Sequence, residues 1–207
     1  MPLVTPRAAR LGRVVLRYPN RRADHMGMAA PVYYSAEMVR ALPDDGNRYE
    51  TVHGELLVTP APRMDHQYVV TQLVLTLGPY LKRNPVGQVL TSPADISWTP
   101  DVLVQPDVFV AAMAEARRFD WKHVKTLLLA IEVLSPSTSR YDRFTKRRVY
   151  QEFGVAWYWM VDVAGRAVET WTPGATFPAI ERERLVWLPE GAGEPLTIQL
   201  TDILPPA

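Results

Sequence analysis

The 207-residue sequence predicts an α/β (α+β) fold, a mixed β-sheet flanked by helices and preceded by a β-hairpin. Three observations carry this. Met64 to Leu81 repeats its apolar residues Val69, Val70, Leu73, Leu77, Tyr80 and Leu81 at helical spacing. Leu127 to Leu134 is apolar nearly throughout, as a central strand covered on both faces would be. Around these two segments lie short alternating stretches of strand length, punctuated by proline and glycine.

Taken in order, Ser35 followed by Glu37 to Leu42 reads as a short capped helix, closed by the turn Pro43-Asp44-Asp45-Gly46. Tyr49 to Val52 and Glu55 to Thr59, joined across His53-Gly54, form the hairpin, which Pro60-Ala61-Pro62 ends. After the long helix, Gly87 to Trp98 and Val102 to Val110 read as two strands, with Pro93, Pro100 and Pro106 confining parts of them to edges or bulges. Ser135-Pro136-Ser137-Thr138 breaks the apolar strand and offers hydroxyl caps to a helix from Tyr141 to Phe153 that stops at Gly154. Val155 to Val161, Arg166 to Trp171 and the alternation of Leu185, Trp187, Leu196, Ile198 and Leu200 complete the strands.

The hydrophobic fraction of 47% is that of a globular protein, and the length suits one domain, assigned to residues 28–207. No apolar run approaches the roughly 20 residues that span a bilayer, and no signal-like stretch follows the N-terminus, so a soluble, cytoplasmic protein is expected. The absence of cysteine excludes thiol redox catalysis. The net charge of +1 hides an asymmetry: residues 1–27 carry six arginines against Asp24, a net of +5, and the rest of the chain is −4. That basic segment reads as a disordered extension, with Met26 and Met28 as alternative starts, and any contact with nucleic acid must be local because no global positive field exists.

Two carboxylates and a lysine stand out. Asp107 follows Pro106 in a strand whose Val102, Val104, Val108 and Val110 alternate, which sets it on the other face. Glu132 interrupts the most apolar strand, where an unpaired carboxylate would cost several kcal/mol, so it must be protonated, paired with a cation or bound to metal. On a wheel of about 100° per residue, Asp142, Lys146, Val149 and Phe153 share an arc of about 60°. Lys146 thus turns toward the core, as a partner for Glu132 or in an i,i+4 pair with Asp142. Two acids and an ammonium in one pocket meet the needs of metal-assisted phosphodiester hydrolysis, with Asp107 and Glu132 as hard oxygen ligands and Lys146 orienting water or steadying charge. Glu55 is a further acidic candidate, His66 at the start of the long helix a phosphate contact, and the basic run holding Arg143 and Arg147 a second one.

The segments Arg48-Tyr49-Glu50, Gly54-Glu55-Leu56, Ser92-Pro93-Ala94-Asp95, Gln105-Pro106-Asp107-Val108, Glu132 to Ser137, Asp142 with Lys146, Gly154-Val155, Tyr158-Trp159 and Val161-Asp162 occur in this order. From about residue 33 to 204 the chain resembles the Uma family (Uma-two type) of restriction endonucleases, which is similar to the P-D...(D/E)-x-K nuclease superfamily. The resemblance implies a restriction-endonuclease-like fold, a magnesium cofactor with manganese as substitute, DNA as substrate, and Asp107 and Glu132 at the two acidic positions. Double-strand cutting would suit a homodimer. The chain departs from the superfamily pattern at Leu134, where lysine is usual, which moves that role to Lys146; His53 and Trp157 depart from the Uma pattern as well.

Other chemistries have less support. His25, His53, His66 and His123 lack zinc-site spacing, and no phosphate-cradling glycine loop or serine-hydrolase elbow occurs. A two-carboxylate glycosidase leaves Lys146 unexplained. The main alternative is a catalytically degenerate nuclease fold that binds nucleic acid or protein, which the acidic body favours.

Overall fold

The computed structural model describes residues 32–206. The expectations for the basic segment 1–27 and its internal methionines lie outside those residues. Helix α1 (Ala36–Arg40) starts where Ser35 accepts the Met38 N–H at 3.2 Å, as the capping pattern predicts. The hairpin follows as β1 (Arg48–Val52) and β2 (Glu55–Thr59), and its turn residues His53 and Gly54 have φ of 49° and 83°. That left-handed pair suits the right-handed twist of the strands. Gly54 is required there, since a Cβ would also fall 2.2 Å from the Tyr33 ring. Gly54→Ala is expected to cost about 1–2 kcal/mol in chemical denaturation, the penalty of a left-handed alanine; an unchanged midpoint would contradict this.

The long amphipathic segment is α2 (Met64–Arg83), burying Val69, Leu73, Leu77, Tyr80 and Leu81. The two strands expected after it are each broken in the structure. Gly87 to Trp98 becomes β3 (Gly87–Thr91) and β4 (Ile96–Thr99), and Val102 to Val110 becomes β5 (Val102–Val104) and β6 (Val108–Ala112). The breaks fall at Pro93 and Pro106, which have no N–H to give a ladder, and the two halves join different sheets. A short α3 (Met113–Ala116) and a 3₁₀ turn (Trp121–His123) lead into β7 (Leu127–Val133).

The predicted helix from Tyr141 begins as a π-helical turn (Tyr141–Lys146) and continues as α4 (Arg147–Glu152). Next come β8 (Tyr158–Asp162), β9 (Ala167–Trp171), β10 (Ala179–Glu181), β11 (Arg184–Trp187) and β12 (Leu196–Gln199). Leu200, expected in the last strand, instead opens α5 (Leu200–Ile203) and is buried from there.

The main sheet has the order β10-β9-β8-β7-β6-β3 and is mixed: β7 and β8 run parallel, connected through the π turn and α4, and its other neighbours are antiparallel. A second antiparallel sheet, β2-β1-β5-β4, covers one face, and α2 with α5 and the β11-β12 pair covers the other. Alternation along β6 sorts its side chains accordingly. Val108 and Val110 pack with α2, whereas Phe109 and Ala111 pack toward the second sheet and α4. No helix among the described residues is long and apolar enough to cross a membrane.

Candidate active site

The proline that splits the strand at Pro106 leaves Asp107 on the short bridge between the two sheets, just before β6. There its carboxylate is 4% exposed and is held by neighbours from three elements. Oδ1 accepts from Arg48 Nη1 at 2.7 Å, and Oδ2 accepts the Val133 N–H at 2.8 Å and lies 3.0 Å from His66 Nε2. The β6–β7 ladder begins at Val108 and Ile131, so the Asp107 side chain serves the Val133 N–H that lies beyond its end. Burial works against ionisation of Asp107, but the His66 hydrogen bond and the charges of Arg48 and Lys146 outweigh it and hold the acid well below the usual carboxylate range.

Glu132 is 1% exposed, near the C-terminal end of β7. Its Oε1 accepts from Lys146 Nζ at 3.0 Å and from Tyr150 Oη at 2.9 Å. Lys146 is 3% exposed and also lies 2.8 Å from Glu50 Oε2 and 3.7 Å from Asp142 Oδ1. The inward turn of Lys146 and the Asp142 contact match the wheel, although the turn that delivers them is π-helical, a distortion frequent at functional sites. Glu50 is fully buried on β1, and its Oε1 accepts the Gln105 N–H at 2.6 Å. Alternation along β1 puts Arg48 and Glu50 on one face, so one strand supplies a cation to Asp107 and an anion to Lys146.

Charge is unbalanced in this cluster. Four carboxylates, Glu50, Asp107, Glu132 and Asp142, share the two permanent cations Arg48 and Lys146, so acids outnumber permanent cations by two. Burial, with the nearby acids adding to it, raises Glu132 well above the usual range in spite of Lys146. Asp142 is pushed up to about 6 for the same reason. Burial alone would lower the Lys146 ammonium, but Glu132, Glu50 and Asp142 raise it, so it stays charged at neutral pH. Tyr150, buried beside Glu132, is also raised and stays a donor.

Asp142 yields a pH signature. Its folded pKa, about 6, exceeds the ordinary 3.8, so the folded protein binds this proton more tightly than the unfolded chain does. Stability from this group is therefore fullest below 3.8 and falls as pH rises to about 6. Asp107, shifted the other way, loses its contribution as pH falls through and below 3.8, at the acid edge of this window, and does so equally in both proteins. Urea midpoints of the metal-free protein between pH 4 and 6.5 are expected to fall more steeply for wild type than for Asp142→Asn; parallel curves would contradict the shift.

Arg48, His66, Asp107 and Glu132 face a cleft of about 740 Å³, also bordered by the turn Ser135 to Thr138. Lys146, Glu50 and Asp142 stand behind them, out of the cleft lining. His66 Nδ1 is buried and without a hydrogen-bond partner among the described residues. The other sequence candidates lie elsewhere. Glu55 is exposed on β2, away from the cleft. Arg143 is held by Glu169 at 2.9 Å and Asp162 at 3.2 Å, and Arg147 lies over the Trp171 ring at 4.6 Å while bonding Gln151. Both guanidiniums are committed to structural contacts. Sequence reading passed over Arg48 and Glu50 as site residues; the available signals were their place in the first family-like segment and Val52, an apolar residue two places on from Glu50 and so on its face of the strand.

Among the described residues no three His, Asp or Glu side chains form a ready-made metal cage. The donor set nonetheless fits a hard divalent cation. A carboxylate offers about four lone-pair sites. Asp107 Oδ1 meets one donor and Glu132 Oε2 none among the described residues, so both keep capacity toward the cleft, in a cluster that is short of positive charge. Magnesium is commonly held by one or two carboxylates with the remaining positions left to water and phosphate oxygens.

Comparison with known proteins bears on the fold and the family. The family model Uma2, described as "Putative restriction endonuclease", matches residues 36–201. A crystal structure described as "a putative nuclease belonging to DUF820" from Anabaena variabilis superposes with a TM-score of 0.69 at 19% identity, over 82% of this chain and 97% of that one. No functionally curated protein matches the sequence.

Proposed function

The chain belongs to the Uma2 family, and from that premise we propose that it hydrolyses phosphodiester bonds of DNA with the help of a divalent cation, magnesium first and manganese as substitute. The observation that carries this reading is the buried cluster of four carboxylates around two permanent cations, whose unsaturated members Asp107 and Glu132 face a cleft large enough for a nucleic-acid strand. Asp107 and Glu132 would hold the cation, which supplies Lewis-acid polarisation of the phosphate and a more acidic water.

The chain's own residues have distinct parts. Arg48, His66 and the Val133 N–H fix the Asp107 carboxylate in one orientation, so little reorganisation is left for the moment of reaction. Lys146, behind Glu132 and held charged, is a positioning residue: it pins Oε1 and leaves Oε2 for the cleft. Its ammonium keeps its proton at neutral pH, which argues against a role as general base. Arg48 and the hydroxyls of Ser135, Ser137 and Thr138 border the cleft and would meet the phosphate.

Incubation of supercoiled and linear DNA with magnesium or manganese tests the reading. Wild type is expected to nick or cut, and Asp107→Ala is expected to be inactive. If metal-replete wild type cleaves no nucleic acid better than Asp107→Ala, the alternative of a non-cleaving binding module takes its place. The net −4 of the chain beyond residue 27 is what favours that alternative.

A further inference from the structure

On the face of the main sheet that carries the second sheet and α4, the loop after α3 presents Phe119, 96% exposed, with φ of 51°. A phenylalanine gains nothing from water, and a left-handed backbone costs a non-glycine residue energy, so both features oppose its being there by default. Beside it lies an apolar groove of about 440 Å³, formed by Phe119 and Trp121 with Leu90, Met113, Ala116 and Val124. Trp121 is anchored from below by Phe109, with ring centroids 6.1 Å apart, and remains 38% exposed.

The rim is net cationic: the one acid that lines the groove, Asp120, is paired with Lys122 at 2.9 Å. Arg117 and Arg118 are exposed, and neither pairs with a carboxylate among the described residues. Residues 115–125 carry a net +2 on a body that is −4. Arginines beside two exposed aromatic side chains match the chemistry of a nucleic-acid strand, whose phosphates need charge and whose unstacked bases need a flat apolar face.

The groove is also joined to the cleft by one strand. Edge strand β3 contributes Gln88 and Leu90 to the groove, and its end, Thr91 with Ser92 and Pro93, borders the cleft. At about 3.3 Å per residue, Leu90 and Ser92 are about 7 Å apart, a separation that one to three nucleotides span.

We propose that the Phe119 groove is a nucleobase site, in which Phe119 and Trp121 stack against an unpaired base of the strand whose backbone crosses the cleft, while Arg117 and Arg118 neutralise the adjoining phosphates. This rests on nucleic acid being the substrate. The site would give the protein a preference for single-stranded or frayed substrate that the cleft alone does not supply.

Fluorescence anisotropy with a labelled single-stranded oligodeoxynucleotide and its duplex, in EDTA so that nothing is cut, tests the proposal. Wild type is expected to prefer the single strand; Phe119→Ala is expected to weaken that binding about 5- to 100-fold, and Phe119→Trp to preserve it. Arg117→Ser with Arg118→Ser is expected to lower the slope of log affinity against log salt by about 1.4, as two lost phosphate contacts require. Phe119 is exposed, so these variants should fold as wild type does, and circular dichroism checks this. If wild type binds and cleaves DNA but Phe119→Ala and the arginine variant bind like it, this site is overturned and the nuclease reading stands. If wild type neither binds nor cleaves, both fall. If sedimentation shows a dimer that Phe119→Ala dissolves while DNA binding is unchanged, the groove is an interface between copies and the proposal is overturned.

Discussion

Lys146→Met is expected to destabilise the metal-free protein by about 3–5 kcal/mol, the usual cost of removing one partner from a buried ion cluster. The ammonium is the shared counter-charge of Glu50, Glu132 and Asp142, at 2.8, 3.0 and 3.7 Å. Methionine matches its length and removes its charge, leaving three buried acids with no cation except Arg48, which is already spent on Asp107. Those acids would take up protons, so the variant should regain stability as pH falls toward 5. Combining Lys146→Met with Glu50→Gln should recover part of the loss, because the amide removes one of the orphaned charges. Urea denaturation at pH 5 and 7.5 reads all three effects, and equal stability of Lys146→Met and wild type at pH 7.5 would show that the cluster is not held by this charge.

Glu132→Gln should separate stability from activity. Glu132 is held in a setting that burial and three neighbouring acids make hostile to its charge. An amide keeps the acceptor for Lys146 and Tyr150 at Oε1 and loses that cost, so the metal-free variant should be as stable as wild type or more so, by up to about 2 kcal/mol. Its cleavage rate should fall about 10²- to 10⁴-fold, because the oxygen turned to the cleft would become an amide nitrogen that cannot bind a cation. A stable, metal-blind variant is what a functional carboxylate gives. A structural one would give a destabilised variant that still cuts. Lys146→Arg supplies a readout of positioning: it restores charge in a different shape, and should recover stability more fully than turnover.

These contrasts follow from how the site was legible. Glu132 was visible because one carboxylate in an apolar strand contradicts its surroundings, and Lys146 because helical spacing placed it with Val149 on the arc that faces the core. The wheel survived the π turn because residues four apart still share a face there. Glu50 was hidden by its setting: in the hairpin segment Arg48-Tyr49-Glu50, two charges at alternate positions resemble a solvent face, and only the packing of the second sheet on the main sheet and α4 shows that this face is covered. The splitting of two expected strands into four was readable only as a hint from Pro93 and Pro106. Which halves join which sheet is decided by tertiary pairing, and that choice sets Asp107 at the junction. Arg143 and Arg147 looked free in sequence because Glu169, Asp162 and Trp171, the groups that occupy them, lie about 20 residues or more beyond them on β8 and β9.

The most direct test is the position of a metal. Crystals soaked in manganese, with data collected at its absorption edge, are expected to show one strong anomalous peak in the cleft, about 2.0–2.6 Å from an oxygen of Asp107 and one of Glu132, and to lose it in Asp107→Ala. A protein that cuts DNA while its manganese sits elsewhere, or that takes up none in the cleft at saturating concentration, would contradict the account.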